Sequence, residues 1–85
     1  MIFDAVLDSL LDCLYFLELA DDDVVDPDDA LKVLESVAAR LGDLPDAERH
    51  DLTARILARA AAEPDPATRD FLEGVPESYG LIELD

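Results

Sequence analysis

The apolar residues of the first twenty positions recur at the spacing of an α-helix, and this pattern limits the possible folds more than any other feature. Steps of three and four residues place side chains on one face of a helix, which is therefore predicted near residues 2–20. The residues that carry the pattern are Phe3, Val6, Leu7, Leu10, Leu14 and Leu17.

The same segment is apolar over almost its whole circumference. Leu11, Cys13, Tyr15, Phe16 and Leu19 widen the apolar surface. Only Asp4, Asp8 and Asp12, spaced four residues apart, form a continuous acidic stripe. A helix that is apolar nearly all round is either central in its fold or shared with a partner.

An Asp-Pro pair marks the start of two later helices. Asp26-Pro27 combines a capping carboxylate with proline at the first helical position, which predicts a helix near 27–41. Gly42 is predicted to supply the left-handed residue that follows this helix. The predicted buried face consists of Ala30, Leu31, Leu34, Val37, Ala38 and Leu41.

The second half of the chain predicts two further helices. Pro45 is expected to open a helix near 45–62, which Glu63-Pro64 ends. Asp65-Pro66 then starts a short helix near 66–75, interrupted at Pro76, with a further turn through Tyr79 before Gly80 left open. Short connections favour antiparallel neighbours, so the prediction is an all-α, compact antiparallel bundle of about four helices in a single domain, 1–85.

Negative charge is concentrated in the first third of the chain. The sequence has 22 acids and six bases, a formal charge of −16, and residues 1–31 hold ten acids and no base. Such a surface repels nucleic acid and anionic membranes and attracts basic proteins. Adaptation to molar salt, or drift within an acidic proteome, would produce the same excess of acids.

The bases of the second half have acidic neighbours at helical spacing. Asp51 and Arg55, Arg59 and Glu63, and Arg69 and Glu73 are each four residues apart, which predicts ion pairs on helix surfaces. Lys32 lies near acids as well. The unneutralised surface is therefore expected on the first helix and on the Asp-rich segment that follows it.

Several chemical functions are disfavoured by the sequence. An EF-hand loop begun at Asp21 would need glycine at position 26 and glutamate at position 32, where this chain has Asp26 and Lys32. Asp8-Ser9-Leu10 is similar to the attachment signal of acyl carrier proteins, but Ser9 lies within the first helix and has no glycine beside it. His50 has no neighbouring nucleophile or second histidine. The prediction is a protein without catalytic residues, metal or cofactor.

The compartment is expected to be the cytoplasm. A single cysteine, Cys13, excludes an intrachain disulfide and fits a reducing environment. The N-terminus has no basic region, and acids break its longest apolar stretch, so neither a signal peptide nor a membrane-spanning helix is expected.

Three segments, together with size and acidity, resemble small acidic immunity proteins of bacterial polymorphic toxin systems. They are the turn Asp21-Asp-Asp-Val-Val-Asp-Pro-Asp28, Leu34-Glu35-Ser36, and Arg69-Asp-Phe-Leu-Glu-Gly-Val-Pro76. The resemblance spans roughly residues 15–82. The immunity proteins of DNase colicins share the size and charge but lack these motifs, so their binding residues are not transferred to this chain.

The resemblance implies a protein that occludes the basic active surface of a cognate toxin or nuclease. The negative charge predicts no direct contact to nucleic acid, and the sequence leaves monomer and homodimer open. Apolar anchors would supply affinity, and surrounding acids would supply rate and specificity. The candidate anchors are Tyr15, Phe16 and Tyr79, and the candidate acids are Asp8, Asp12, Glu18, Asp21, Asp22, Asp23 and Asp26. Tyr15 and Phe16 have an alternative role in core packing.

Two other functions remain open from the sequence. One is a phage-type nucleic-acid mimic that inhibits a restriction or CRISPR effector, with carboxylates in place of phosphates. The other is a structural subunit that dimerises through its apolar first helix.

Overall fold

The computed structural model describes residues 2–82, and these form four α-helices without a strand. The helices are α1 (Ile2–Leu19), α2 (Pro27–Gly42), α3 (Asp46–Ala62) and α4 (Pro66–Ser78). The predictions of an all-α fold and of a short last helix are confirmed, since α4 has 13 residues and the others have 16 to 18.

The chain divides into two compact units, and the boundary falls inside α2. One unit ends at Leu34 and contains α1, the Asp-rich turn and the first two turns of α2. The other begins at Glu35 and contains the rest of α2, α3, α4 and the residues after them.

The buried face of α1 is narrower than the apolar face that its sequence predicts. Leu7, Leu11 and Leu14 are 1% to 5% exposed and follow one another at steps of four and three residues. Phe3 and Val6, which the periodicity placed on the same face, are exposed. Leu11 therefore belongs to the core stripe, and a large part of the apolar surface of α1 faces solvent.

Helix α2 starts as predicted, but its first apolar turn is largely exposed. The Asp26 carboxylate accepts a hydrogen bond from the Asp28 backbone N–H at 2.8 Å, which caps the helix with Pro27 at the first position. Ala30 is buried, whereas Leu31 is 54% exposed, so the prediction that Leu31 is buried is wrong. The remaining predicted inward residues, Leu34, Val37, Ala38 and Leu41, are half-buried.

Helices α3 and α4 pack against each other, joined by only three residues, 63–65. Helix α3 begins at Asp46, one residue after Pro45. Its buried residues Leu52, Ile56 and Ala60 recur every four residues. The buried residues of α4 and of the segment that follows it are Leu72, Val75, Pro76, Tyr79 and Leu81.

The Asp65 carboxylate caps α4. It accepts hydrogen bonds from the Thr68 N–H at 2.9 Å and the Thr68 hydroxyl at 2.8 Å. These two bonds lower the pKa of Asp65, because they stabilise the ionised carboxylate. The second Asp-Pro pair therefore starts a helix as the sequence predicted.

The end of α4 differs from the prediction in two respects. The helix continues through Pro76 to Ser78, so the predicted interruption at Pro76 is wrong. Gly80 follows with φ of +73°, and Gly42 has no positive φ, so the left-handed residue closes α4 and not α2. Leu81 N–H bonds to the Pro76 carbonyl at 2.8 Å, and Gly80 N–H bonds to the Glu77 carbonyl at 3.3 Å.

This pair of bonds around a left-handed glycine is a Schellman motif, which satisfies carbonyls at the end of the helix. The Pro76 carbonyl takes part in the motif, although proline has no N–H to donate within the helix. Leu81 is buried beside Val75 and Pro76, which are also buried, and this supplies the apolar contact typical of the motif.

Candidate partner-binding surface

The acidic stripe of α1 lies on the surface. Asp8 and Asp12 are exposed, and Asp4 is half-buried. The four-residue spacing places them along one side of the helix, as the sequence predicted. No base occurs before Lys32, so this side of α1 belongs to the part of the chain with a formal charge of −10.

The Asp-rich turn continues the acidic surface. Asp21, Asp22, Asp23 and Asp26 are all exposed, as is Glu18 in the last turn of α1. The turn is closed by its backbone, since the Asp21 carbonyl accepts hydrogen bonds from the N–H groups of Val24 at 2.9 Å and Val25 at 3.1 Å. The carboxylates of the turn are thus held on the surface by a fixed backbone.

The three predicted aromatic anchors have different environments. Phe16 is 52% exposed and Tyr15 is half-buried. Tyr79 is 2% exposed and lies in the core after α4, so its burial removes it from the candidate contact residues. Phe16 is the anchor that the structure leaves most accessible.

Apolar side chains accompany the acids on the surface of this unit. Among the large hydrophobic residues, those more than 40% exposed up to position 33 are Ile2, Phe3, Val6, Phe16, Leu19, Val24, Leu31 and Val33. Single exposed apolar residues are normal on proteins, and larger contiguous apolar areas mark interaction sites. In the residues from 34 to 82, only Leu57 and Ile82 are exposed among the large hydrophobic residues.

A groove with an apolar floor opens between the last turn of α1 and the first turns of α2. Its cavity volume is about 480 Å³, and it is open to solvent. Glu18 and Asp22 add carboxylates to its lining. We call it the α1–α2 groove, and its apolar lining consists of Leu17, Ala20, Val25, Pro27, Ala30, Leu31 and Leu34.

Sequence reasoning missed this groove because it assigned Leu31 and Leu34 to the core. The available signal was the pair Val24-Val25, two β-branched apolar residues inside an otherwise acidic turn. A turn that is fully exposed to water does not require apolar side chains. In the structure Val25 lines the groove.

The unit that begins at Glu35 has its charges partly paired. Arg55 Nε donates to the Asp51 carboxylate at 3.1 Å, which confirms one predicted ion pair. Arg49 pairs with Asp46, a contact the sequence analysis did not predict. Arg69, predicted to pair with Glu73, donates to the Glu63 carbonyl at 3.5 Å. With twelve acids and five bases, residues 35–85 carry a formal charge of −7.

The two residues considered for chemistry, Ser9 and His50, are both exposed. Ser9 is exposed within α1, and its hydroxyl donates to the Ala5 carbonyl at 2.9 Å. His50 is exposed on α3 and lines an open hollow with Arg49 and Ile82. Within residues 2–82, no three His, Cys, Asp or Glu side chains converge in an arrangement that would hold a metal ion.

None of the four helices in the described part of the chain combines the length and the apolar character needed to cross a membrane. Comparison with known proteins found no matching family model, no similar curated protein and no similar solved structure.

Proposed function

We propose that this chain is a non-catalytic binding protein whose acidic surface on α1 and the following turn docks on a basic protein. The observation that carries the proposal is the coincidence, in residues 1–34, of ten acids against one base, Lys32, and a concentration of exposed apolar side chains. Charge of one sign steers a partner of the opposite sign, and buried apolar anchors supply the affinity.

The partner class that fits best is a toxin or nuclease with a basic substrate-binding surface, which makes the chain a cytoplasmic immunity protein. The resemblance of the Asp21–Asp28 turn and the Arg69–Pro76 segment to acidic immunity proteins supports this choice. The mechanism is occlusion: the acidic surface covers the positive surface that the toxin uses to hold its substrate, and no bond is made or broken.

The test is a pull-down from the lysate of the source organism, at low salt and again at about 1 M salt. At the higher concentration the Debye length is about 3 Å, so exposed charges are almost fully screened. We expect one basic protein that remains bound in high salt, together with loss of that protein's toxic activity when the chain is added. Many basic proteins that are all removed by salt, or none, would contradict a dedicated inhibitor.

A charge-reversal variant locates the contact. Asp8→Lys with Asp12→Lys should leave the helical circular dichroism spectrum intact and abolish binding. The matched control is Asp70→Lys with Glu77→Lys, which makes the same change in net charge on exposed positions of α4. Equal binding by the two double variants would show that the stripe is not the contact.

Experiments on the purified chain distinguish the two other functions, a nucleic-acid mimic and a dimerising subunit. A nucleic-acid mimic would inhibit several unrelated DNA-binding proteins, whereas an immunity protein inhibits one cognate toxin. A dimerising subunit would sediment as a dimer at micromolar concentration without any partner.

A further inference from the structure

The α1–α2 groove has the size and the lining of a docking site for side chains of another molecule. Its volume of about 480 Å³ lies within the range of roughly 300–1,000 Å³ that is usual for ligand-binding clefts. Leu17, Val25 and Leu34 are half-buried in its lining, and Leu31 is 54% exposed. An occupant that covers Leu31 would therefore remove apolar surface from water.

The negative charge around the groove favours a positively charged binding partner. Glu18 and Asp22 are exposed carboxylates in its lining, and Asp21 and Asp23 are exposed in the same turn. A second copy of the chain would bring ten further acids of residues 1–31 against these. Like charges at an interface are costly, so the charge argues against a second copy and for a cationic occupant.

We infer that the α1–α2 groove binds a basic amphipathic segment of the partner, with aliphatic side chains on its apolar floor and lysine or arginine side chains against Glu18 and Asp22. This inference rests on the proposed function and specifies the part of the partner that the chain recognises. An amphipathic helix fits this description, because residues three and four apart present one apolar face to a groove while its flanks carry charge.

Phe16 and Leu19 add exposed apolar surface in the last turn of α1, which also supplies Leu17 to the groove. Phe16 lies one turn before Ala20, which lines the groove, and the Phe16 carbonyl accepts a hydrogen bond from the Ala20 N–H at 2.9 Å. Both Phe16 and Leu19 are more than half exposed. The docked segment therefore has apolar surface available along the last turn of α1 as well as inside the groove.

The probe for a test is a pair of synthetic peptides of equal length and charge. One carries lysines with leucines at helical three- and four-residue steps, and the other has every leucine replaced by alanine. At low salt the full-length chain should bind the Lys/Leu peptide at least about tenfold more tightly than the Lys/Ala peptide. In NMR spectra, the backbone amides of Ala20, Val25 and Leu34 should shift on binding.

Two chain variants show whether the groove is the site. Leu31→Asn keeps the net charge, changes a 54% exposed residue and should abolish the preference for leucine. Leu57→Asn is the matched control, since Leu57 is 43% exposed on α3 and does not line the groove, and it should preserve the preference. Circular dichroism establishes that both variants fold.

The outcomes separate this inference from the proposed function. Equal binding of the two peptides, or equal behaviour of the two variants, would overturn the groove as docking site and leave an acidic binding protein that acts through charge alone. If neither basic peptide binds at low salt, the result counts against both the groove and the acidic surface as a contact for basic proteins.

Discussion

Replacing Gly80 by alanine tests the Schellman motif that closes α4. Gly80 has φ of +73°, a conformation that costs an L-residue about 1–2 kcal/mol. A Cβ there would lie 3.6 Å from the Gly42 Cα and 3.9 Å from the Ala38 carbonyl oxygen, which are ordinary van der Waals distances. The expected loss of stability therefore comes from backbone conformation, and steric overlap adds little to it.

Gly74 provides the matched control within the same helix. No heavy atom lies within 4 Å of a Cβ built at Gly74, and its φ is not positive. Glycine inside a helix is less favourable than alanine by about 0.5–1 kcal/mol, so Gly74→Ala should stabilise the protein by that amount. The same substitution should thus have opposite signs at two positions only six residues apart.

Thermal and urea denaturation followed by far-UV circular dichroism measure both effects. With Gly80→Ala lowering the free energy of unfolding by about 1 kcal/mol or more, the two variants should differ by about 2 kcal/mol, or roughly 8–16 °C in Tm. An unchanged or raised Tm in Gly80→Ala would refute the assignment of a strained left-handed position after α4. A lowered Tm in Gly74→Ala would show that this position has less space than the structure gives it.

Three further predictions address the cap, the core and the charge. The pKa of Asp65 is lowered in the folded protein, so its cap stabilises the fold fully at a pH above the ordinary pKa of 3.8, and this stabilisation is lost as the pH falls below that value. The urea midpoints of wild type and Asp65→Ala should therefore converge in acid. A difference that stays constant with pH would contradict this. Ile56→Ala, at a site that is 1% exposed, should cost about 2–5 kcal/mol, and Leu57→Ala less than half as much; similar costs would refute the assigned core face of α3. Sedimentation should show a monomer at low salt, and a dimer there would favour the structural-subunit function.

Helix positions were predictable from the sequence because their signals are local. Asp26-Pro27 and Asp65-Pro66 each combine a capping carboxylate with a fixed φ, and both start helices within a residue of the predicted position. The end of α4 was not predictable to the same degree, because proline usually kinks or ends a helix, whereas α4 continues for two residues beyond Pro76. Gly42 and Gly80 each stand near the end of a helix, and only the backbone angle φ, which is positive at Gly80 alone of the two, distinguishes them.

The identity of the buried residues was harder to predict, because α1 has more apolar residues than one helix face can bury. Periodicity alone does not decide whether Leu10 or Leu11 lies in the core, and in the structure Leu11 is the buried residue. Tyr79 shows the opposite error: an aromatic residue near the C-terminus was assigned to the surface and is in the core. In both cases packing against other residues decides burial, which short-range spacing does not report.

On the proposed function, the exposed apolar residues and the excess of acids together control association. Apolar side chains on the surface favour association, and they favour it between copies of the chain as much as with a partner. A formal charge of −10 on residues 1–31 opposes the first kind of association, since two copies would bring like charges together, and it accelerates encounter with a basic partner. On the proposed function, the acids thus direct binding by the exposed apolar surface toward basic proteins. Neutralising them should therefore weaken partner binding and promote self-association at the same time.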